Sequence, residues 1–206
     1  MMERSVKTVI RAYGISVLLS GHPEVRRLKR VHVSSFHGNK FWTSSWLLME
    51  FFRRRGLPEG TRILDVGCGW GLAGIYCAKK HNAVVTGVDI DPEVFPYLRL
   101  HADINKVKIA TMKRGFGGLT GKQLMNFDVL IGADICFWDK LTYSLKRLVN
   151  RAMRTGPQMV IIADPGRPPF DELAKYFVAK RGAEILDWTV QRPRLIQGRI
   201  LKVGSL

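Results

Sequence analysis

The stretch Leu64-Asp65-Val66-Gly67-Cys68-Gly69-Trp70-Gly71 decides the fold of this 206-residue chain. A short apolar run ends here, and Gly67, Gly69 and Gly71 follow it at alternate positions. Glycine permits the unusual torsions and the close approach to a ligand that a tight turn from a buried strand into a helix requires. We therefore expect a strand that ends at residue 66, a helix that begins at residue 71, and a loop between them that cradles a ligand.

The chain from residue 62 onward alternates short β-branched runs with helix-length amphipathic stretches, a pattern typical of a parallel sheet covered on both faces. The predicted strands are Arg62 to Val66, Val84 to Asp89, Lys108 to Lys113, Phe127 to Asp134, Met159 to Asp164, Glu184 to Val190 and Arg199 to Val203. The predicted helices between them are Gly71 to Lys80, Pro92 to Ile104, Asp139 to Arg154 and Pro169 to Arg181. No helical period separates the last two strands, so they should pair antiparallel at one edge. The fold class is α/β, with a doubly wound, mostly parallel seven-stranded sheet.

The segment before this alternation has a different character. It is basic and contains Gly and His up to Gly38, and a helical pattern from Trp42 to Arg55 is ended by Gly56 and Pro58. We therefore predict an N-terminal basic cap at residues 1–60, including a capping helix, and a ligand-binding domain at residues 61–206.

The glycine loop by itself is compatible with two ligands, NAD and S-adenosylmethionine. Gly69 to Gly74 satisfies the dinucleotide-binding pattern, and Asp89 lies at the distance along the chain expected of a ribose-binding acid. Asp65 favours S-adenosylmethionine. A carboxylate just before the loop would repel the pyrophosphate of NAD, but it suits the cationic amino acid end of S-adenosylmethionine. A purely structural role for both acids, as helix caps or turn residues, stays open.

The alternation Asp-x-Gly-x-Gly-x-Gly from Asp65 to Gly71 resembles the first motif of class I, Rossmann-like methyltransferases. The resemblance implies S-adenosylmethionine as the cofactor, with Asp65 and the loop amides at its methionyl part and Asp89 at its ribose hydroxyls. Phe116, or a neighbour after the third strand, is implied at the adenine. The implied cofactor-binding residues are Asp65, Gly67, Gly69, Gly71, Asp89, Ile90, Phe116, Ala133 and Trp42.

Two later motifs concern the methyl acceptor. Asp134-x-x-Phe137 resembles the element that follows the fourth strand in seven-strand protein-lysine methyltransferases, and Asp164-Pro165-Gly166-Arg167 is similar to a motif in the branch that modifies the β-subunit of electron-transfer flavoprotein. The resemblance implies that Asp134 and Phe137 are catalytic and that the substrate contacts are Asp134, Phe137, Trp138, Asp164 and Arg167. A structural turn is the alternative for Asp164 to Arg167.

This sequence departs from related patterns at two places. Ala133-Asp134-Ile135-Cys136-Phe137 replaces the Asn/Asp-Pro-Pro-Tyr/Phe motif typical of enzymes that methylate nucleobase amines. Residues 34–42 match only the Trp of the entry element usual in the lysine-modifying group. Three classes of function therefore remain: a protein-lysine methyltransferase, a methyltransferase for RNA or a small molecule, and an NAD-binding or non-catalytic module.

Composition restricts partners and location. The formal charge of +16 favours an acidic or polyanionic partner, with nucleic acid possible, and its clusters include Arg26 to Arg30 and Arg53 to Arg55. No apolar run has the length of a membrane span, and three widely spaced cysteines indicate a reducing, cytoplasmic location. A mitochondrial location applies if the Arg-bearing N-terminus is a transit peptide. His22, His32 and His37 lack companions at metal-ligand spacing, so no metal is predicted.

Overall fold

The computed structural model describes residues 8–34, 38 and 40–206. The chain begins there with a hairpin of β1 (Val9–Ala12) and β2 (Ile15–Leu18), followed by α1 (Pro23–Val31) and α2 (Ser44–Arg55). The sequence patterns predict α2 but miss the hairpin and α1. The hairpin turns at Tyr13 and Gly14, both with positive φ, and Tyr13 replaces the Asn or Asp that usually marks such a turn.

The remaining strands form one sheet in the order β5-β4-β3-β6-β7-β9-β8. Its strands are β3 (Arg62–Val66), β4 (Val84–Asp89), β5 (Ala110–Lys113), β6 (Val129–Ala133), β7 (Met159–Asp164), β8 (Glu184–Val190) and β9 (Ile196–Gly204). The first five strands in the spatial order are parallel, while β9 pairs antiparallel with both β7 and β8. The predicted α/β class, the seven strands and the antiparallel edge are confirmed.

The helices of this domain are α3 (Leu72–His81), α4 (Phe95–Asn105), α5 (Gly121–Leu124), α6 (Asp139–Thr155) and α7 (Pro168–Arg181). The helix predicted from Pro92 begins as a 3₁₀ turn, Pro92–Val94, and becomes α-helical only at Phe95. Pro96 lies in the first turn of α4, where its missing N–H interrupts no helical hydrogen bond. The side chain of Asp91 caps the 3₁₀ turn by accepting a hydrogen bond from the Glu93 N–H.

Two apolar layers cover the two faces of the sheet. One layer contains buried residues of α2, α3, α4 and the hairpin, and the other contains those of α6 and α7. Ile63 and Leu64 alternate between these layers, as do Ile161 and Ile162, which is the period of a strand buried on both faces. Within the described part of the chain, every helix is too short or too polar to span a bilayer.

The hairpin is attached to α4 by polar side chains. The Asn105 amide pairs with the backbone of Ser16, accepting from its N–H and donating to its carbonyl oxygen at 2.8 Å each. His101 Nε2 accepts from the Leu18 N–H at 3.1 Å, while its Nδ1 lies 2.8 Å from the Tyr97 carbonyl. Burial lowers the pKa of His101, so the ring is neutral and Nδ1 carries the proton. These side chains therefore act as the neighbouring strand that β2 lacks on that side.

Candidate active site

The glycine loop connects β3 to α3 in the way that its sequence predicts. Gly67, Gly69 and Gly71 all have positive φ, at 62°, 50° and 70°. A Cβ on Gly67 would lie 2.7 Å from Ile135, and one on Gly71 would lie 2.7 Å from Leu98, whereas a Cβ on Gly69 would meet nothing within 4 Å. Gly69 is thus required for its torsion alone, while the other two are also required for space.

Asp65 is buried beneath this loop. Its Oδ2 accepts a hydrogen bond from the Gly74 N–H at 3.2 Å, in the first turn of α3. Burial raises the pKa of Asp65 to about 8, against the lowering effect of the Gly74 bond. Asp65 lines a narrow cavity of about 30 Å³ together with Gly67, Gly69 and Gly71. A buried carboxylate that faces a cavity and has one backbone partner is suited to receive a cationic group.

Asp89 ends β4 and holds the glycine loop. Its Oδ2 accepts from the Gly69 N–H at 3.1 Å, and its Oδ1 accepts from the Asp91 N–H at 3.0 Å. Burial raises the pKa of Asp89, in spite of these bonds. Each carboxylate oxygen has a second lone pair, so Asp89 can still accept hydrogen bonds from a diol.

A larger cavity of about 600 Å³ opens at the carboxyl ends of β3, β4 and β6, where open α/β sheets bind ligands. The predicted site residues that line it are Trp42, Gly67, Gly69, Asp89, Ile90, Phe116, Ala133, Asp134, Phe137 and Trp138. Of the other predicted residues, Asp65 and Gly71 line the narrow cavity, which shares Trp42, Gly67, Gly69 and Ala133 with the larger one. Asp164 and Arg167 line neither cavity.

Asp134 is the centre of a buried ionic network. It follows β6 with a φ of 56°, and its Oδ2 accepts from the Ser44 N–H at 2.8 Å at the start of α2. Its Oδ1 accepts from Arg167 at 2.9 Å. Arg167 also donates to Asp164 Oδ2 at 2.7 Å, and Asp164 Oδ1 accepts from the backbone N–H groups of Gly166 and Arg167. Arg167 therefore joins the ends of β6 and β7, and both oxygens of Asp134 are engaged.

An aromatic pair lies beside this network and lines the same cavity as Asp134. The Trp42 and Phe137 rings lie 5.0 Å apart at 68°, and the Arg167 guanidinium lies 4.4 Å from the Phe137 ring centre. The predicted substrate residues Asp164 and Arg167 thus lie beside this pair rather than among the cavity-lining residues. Arg167 contacts both Asp134 and the Phe137 ring, so it can position them, and a substrate contact of Asp164 and Arg167 stays a prediction.

Several cavity residues carry no signal in the sequence. Ser34 and Gly38 precede α2 in the sequence, and both line the cavity. Ser34 Oγ donates to Asp91 Oδ2 at 2.9 Å, and Trp70 Nε1 donates to the Gly38 carbonyl at 2.9 Å. The other lining residues that sequence reasoning misses are Asp91, Val94, Arg114, Gly115, Gly117, Ile135, Lys140, Leu141 and Ser144.

The histidines considered as metal ligands have other contacts. His22 caps α1 by accepting from the Glu24 N–H, and His32 lies 3.0 Å from Glu93. His37 lies outside the described residues. Across residues 8–34, 38 and 40–206, no group of three or more His, Cys, Asp or Glu side chains is arranged to hold a metal ion.

Known proteins resemble this chain in both sequence and fold. The model of the methyltransferase domain family matches residues 63–156. The chain is 27% identical over 139 residues to the electron transfer flavoprotein beta subunit lysine methyltransferase of Xenopus laevis, across 65% of this chain and 56% of that protein. It is 34% identical over 82 residues to the ubiquinone biosynthesis O-methyltransferase of Xanthomonas axonopodis pv. citri, across 40% and 34% of the two chains. The chain thus spans about half the length of the first of these relatives.

A solved methyltransferase structure shares the fold of this chain. The precorrin-6y C5,15-methyltransferase of Geobacter metallireducens superposes with a TM-score of 0.60 at 10% identity, over 77% of this chain and 87% of that one. This likeness shows the fold of Rossmann-like methyltransferases, and the family match over residues 63–156 supports S-adenosylmethionine as the cofactor. Of the two relatives named above, the one with the longer aligned region is a lysine methyltransferase.

The residues present fit this cofactor. The buried Asp65 carboxylate lies under glycines with positive φ, and Asp89 faces the adjoining cavity with lone pairs to spare. Phe116 and Ile90 add apolar surface to the same cavity. The site therefore contains groups that match the cationic amino acid, the ribose and the adenine of S-adenosylmethionine.

Proposed function

We propose that the protein transfers a methyl group from S-adenosylmethionine to the side-chain amine of a lysine in a protein substrate. The observation that carries the proposal is that Asp134 and Phe137, the residues of the lysine-methyltransferase-like motif, line the cavity together with Gly67, Gly69 and Asp89. The names of the relatives from Xenopus laevis and Danio rerio support a lysine acceptor. The name of the ubiquinone O-methyltransferase supports a small molecule as an alternative methyl acceptor. RNA is the other alternative acceptor.

The proposed chemistry is an in-line displacement. The bound cofactor supplies an electrophilic methyl group on its sulfonium, and the neutral lysine amine attacks the methyl carbon as the C–S electron pair leaves to sulfur. The amine loses a proton before the attack. Because Asp134 already accepts from Ser44 and Arg167, we assign it to positioning and assign that proton to water. Trp42 and Phe137 would line the path of the lysine chain and exclude water from it.

Transfer of labelled methyl from S-adenosylmethionine into a lysate tests this function, with protein, nucleic acid and small-molecule fractions counted separately. We expect label in the protein fraction, and mass spectrometry of that fraction should find methyl-lysine. Asp89→Ala is the control, because weaker cofactor binding should reduce the signal in every fraction. Label in the RNA or small-molecule fraction alone would contradict the lysine proposal while leaving methyl transfer intact.

Asp89→Ala should weaken binding of S-adenosylhomocysteine, the demethylated product, by about 1 to 3 kcal/mol, because it removes charge-assisted hydrogen bonds to the ribose hydroxyls. Calorimetry measures the change, and thermal melting checks that the fold survives. The wild-type chain should show no binding of NAD in the same instrument. Tight NAD binding, or full affinity of the variant, would contradict the assigned role of Asp89.

Cofactor affinity should rise between pH 6 and pH 8. The pKa of Asp65 is about 8 without ligand, so the carboxyl is largely protonated at pH 6 and must lose its proton to pair with an ammonium. Affinity then rises with pH by at most about tenfold per unit and levels off above about pH 8, where the Asp65 carboxyl of the free protein is already ionised. Calorimetry of S-adenosylhomocysteine in buffers of different ionisation enthalpy measures both affinity and proton release. Asp65→Asn should bind more weakly and show a flatter profile, and a flat wild-type profile would refute the assignment.

The basic face of α1 should contribute to substrate capture more than to folding. Arg26, Arg27 and Arg30 are exposed, and the contacts of Arg27 and Lys29 are with surface groups. Neutralising Arg26, Arg27, Lys29 and Arg30 should raise the KM for a negatively charged substrate and flatten its salt dependence, because long-range attraction is lost. Thermal melting should be nearly unchanged. A large loss of stability with an unchanged KM would show that these residues are structural.

A further inference from the structure

The exposed face of α6 carries a stripe of cations. Lys140, Arg147 and Arg154 are exposed and recur at spacings of seven, which places them on one side of the helix. The opposite side is buried against the sheet, through Thr142, Leu145, Leu148, Val149 and Ala152. The helix also carries Lys146 and Arg151, and Asp139 is its single acid. The stripe is therefore a cluster of positive charge, and the helix carries one acid, Asp139, at its N-terminal end.

An aromatic ring lies within this stripe. Tyr143 is 62% exposed, and it follows Lys140 by three residues and precedes Arg147 by four. In the described part of the chain, the Tyr143 side chain makes no hydrogen bond and no ring contact. Trp138, directly before the helix, is 45% exposed and lines the cavity. Large aromatic surface left open to solvent between cations indicates a partner with flat, apolar groups.

The stripe leads to the cavity. Lys140 and Ser144 line the cavity. Arg151 donates a hydrogen bond to the carbonyl oxygen of Phe116, in the cavity wall, at 2.9 Å. The fourteen residue steps from Lys140 to Arg154 correspond to about 21 Å of helix. Stacked nucleotides advance by about 3.4 Å each, so the stripe is long enough for roughly six of them.

We propose that this face of α6, defined by Lys140, Tyr143, Arg147 and Arg154, binds a single-stranded polynucleotide beside the mouth of the cavity. Phosphates match the cations, and an unstacked base matches the ring of Tyr143. An acidic peptide would satisfy the cations but would leave the ring without a flat partner. This inference goes beyond the proposed function and does not depend on it, because binding is measured without methyl transfer.

Fluorescence anisotropy of a fluorescein-labelled uridine 12-mer with the full chain tests the proposal. Tyr143→Ala alone should weaken binding about fivefold or more, because one stacked base is lost. Arg147→Ala with Arg154→Ala should weaken it further and reduce the slope of log K against log salt by about 1.4, the value for two phosphate contacts on a single strand. Lys175→Ala with Arg181→Ala on α7 is the matched control, since it removes the same charge from another exposed surface, and its binding should change less than twofold.

Each contrary result overturns the proposal. Equal losses in the α6 and α7 pairs would show that only total charge matters. Unchanged binding of the 12-mer by Tyr143→Ala would show that no base stacks on the ring of Tyr143. Displacement of the 12-mer by poly-L-glutamate at equal charge concentration would assign the surface to an acidic protein instead. All variants change exposed side chains, so thermal melting should be unchanged and a folding defect would be recognised at once.

Discussion

Asp134→Asn is expected to lower kcat/KM by about 100-fold or more while the affinity for S-adenosylhomocysteine changes little. A carboxylate can accept from both Ser44 and Arg167, whereas an amide presents one acceptor and one donor, so one of the two bonds must fail. The start of α2 or Arg167 then shifts, and the Trp42 and Phe137 rings shift with it. Steady-state kinetics and calorimetry measure the two quantities.

The outcome for Asp134→Asn separates three roles. A parallel fall in cofactor affinity would make Asp134 a cofactor contact, and a fall in stability that accounts for the whole loss of activity would make it a structural cap. Unchanged turnover would remove it from the catalytic residues. Phe137→Leu is the useful companion, because it changes the ring that Arg167 contacts and leaves both bonds of Asp134 in place.

Arg167→Met should reduce the free energy of unfolding by about 3 to 5 kcal/mol at pH 7.5, because it leaves two buried carboxylates without their cation. The side chains of Asp134 and Asp164 are only 2% and 0% exposed. Burial already raises the pKa of Asp164, and loss of the guanidinium raises it further. An acid whose pKa is raised in the folded state costs stability above that pKa and nothing below its unfolded value. The loss should therefore shrink as the pH falls toward 4, which denaturant unfolding at several pH values measures.

Arg199→Met is the matched control for this change. Arg199 pairs with Asp171, which is half-buried, and with Asp187, which is exposed, so water screens these pairs far more than the buried ones and the change should have little effect. An equal loss of stability in both variants, or a loss in Arg167→Met that does not depend on pH, would contradict the account of a buried ionic network.

The parts of the site that the sequence predicts are those whose structure depends on residues close together along the chain. Asp65, the three glycines and Asp89 lie at the ends of strands that their own periodicity defines, and the strand ends bring them together. Confirmation therefore reaches the fold, the domain class and the cofactor. The division at residues 60 and 61 and the roles of individual residues stay predictions.

The remainder depends on contacts between distant parts of the chain. Arg167 meets Asp134 across 33 positions, and Asp134 meets Ser44 across 90, which no local pattern encodes. Ser34 enters the cavity through a hydrogen bond to Asp91, 57 residues away. The hairpin is missed for another reason, since four-residue strands give too short a period to distinguish from a loop.

The bonds that Asn105 and His101 make to β2 have a consequence for cooperativity. A chain begun at residue 61 would lose the partners of two buried polar side chains, together with the apolar contacts of Ile15 and Val17. The hairpin and the sheet should accordingly open as one unit. Amide hydrogens of Ser16 and Leu18 should exchange with the same opening free energy as those of α4, although the two segments lie at opposite ends of a stretch of more than eighty residues.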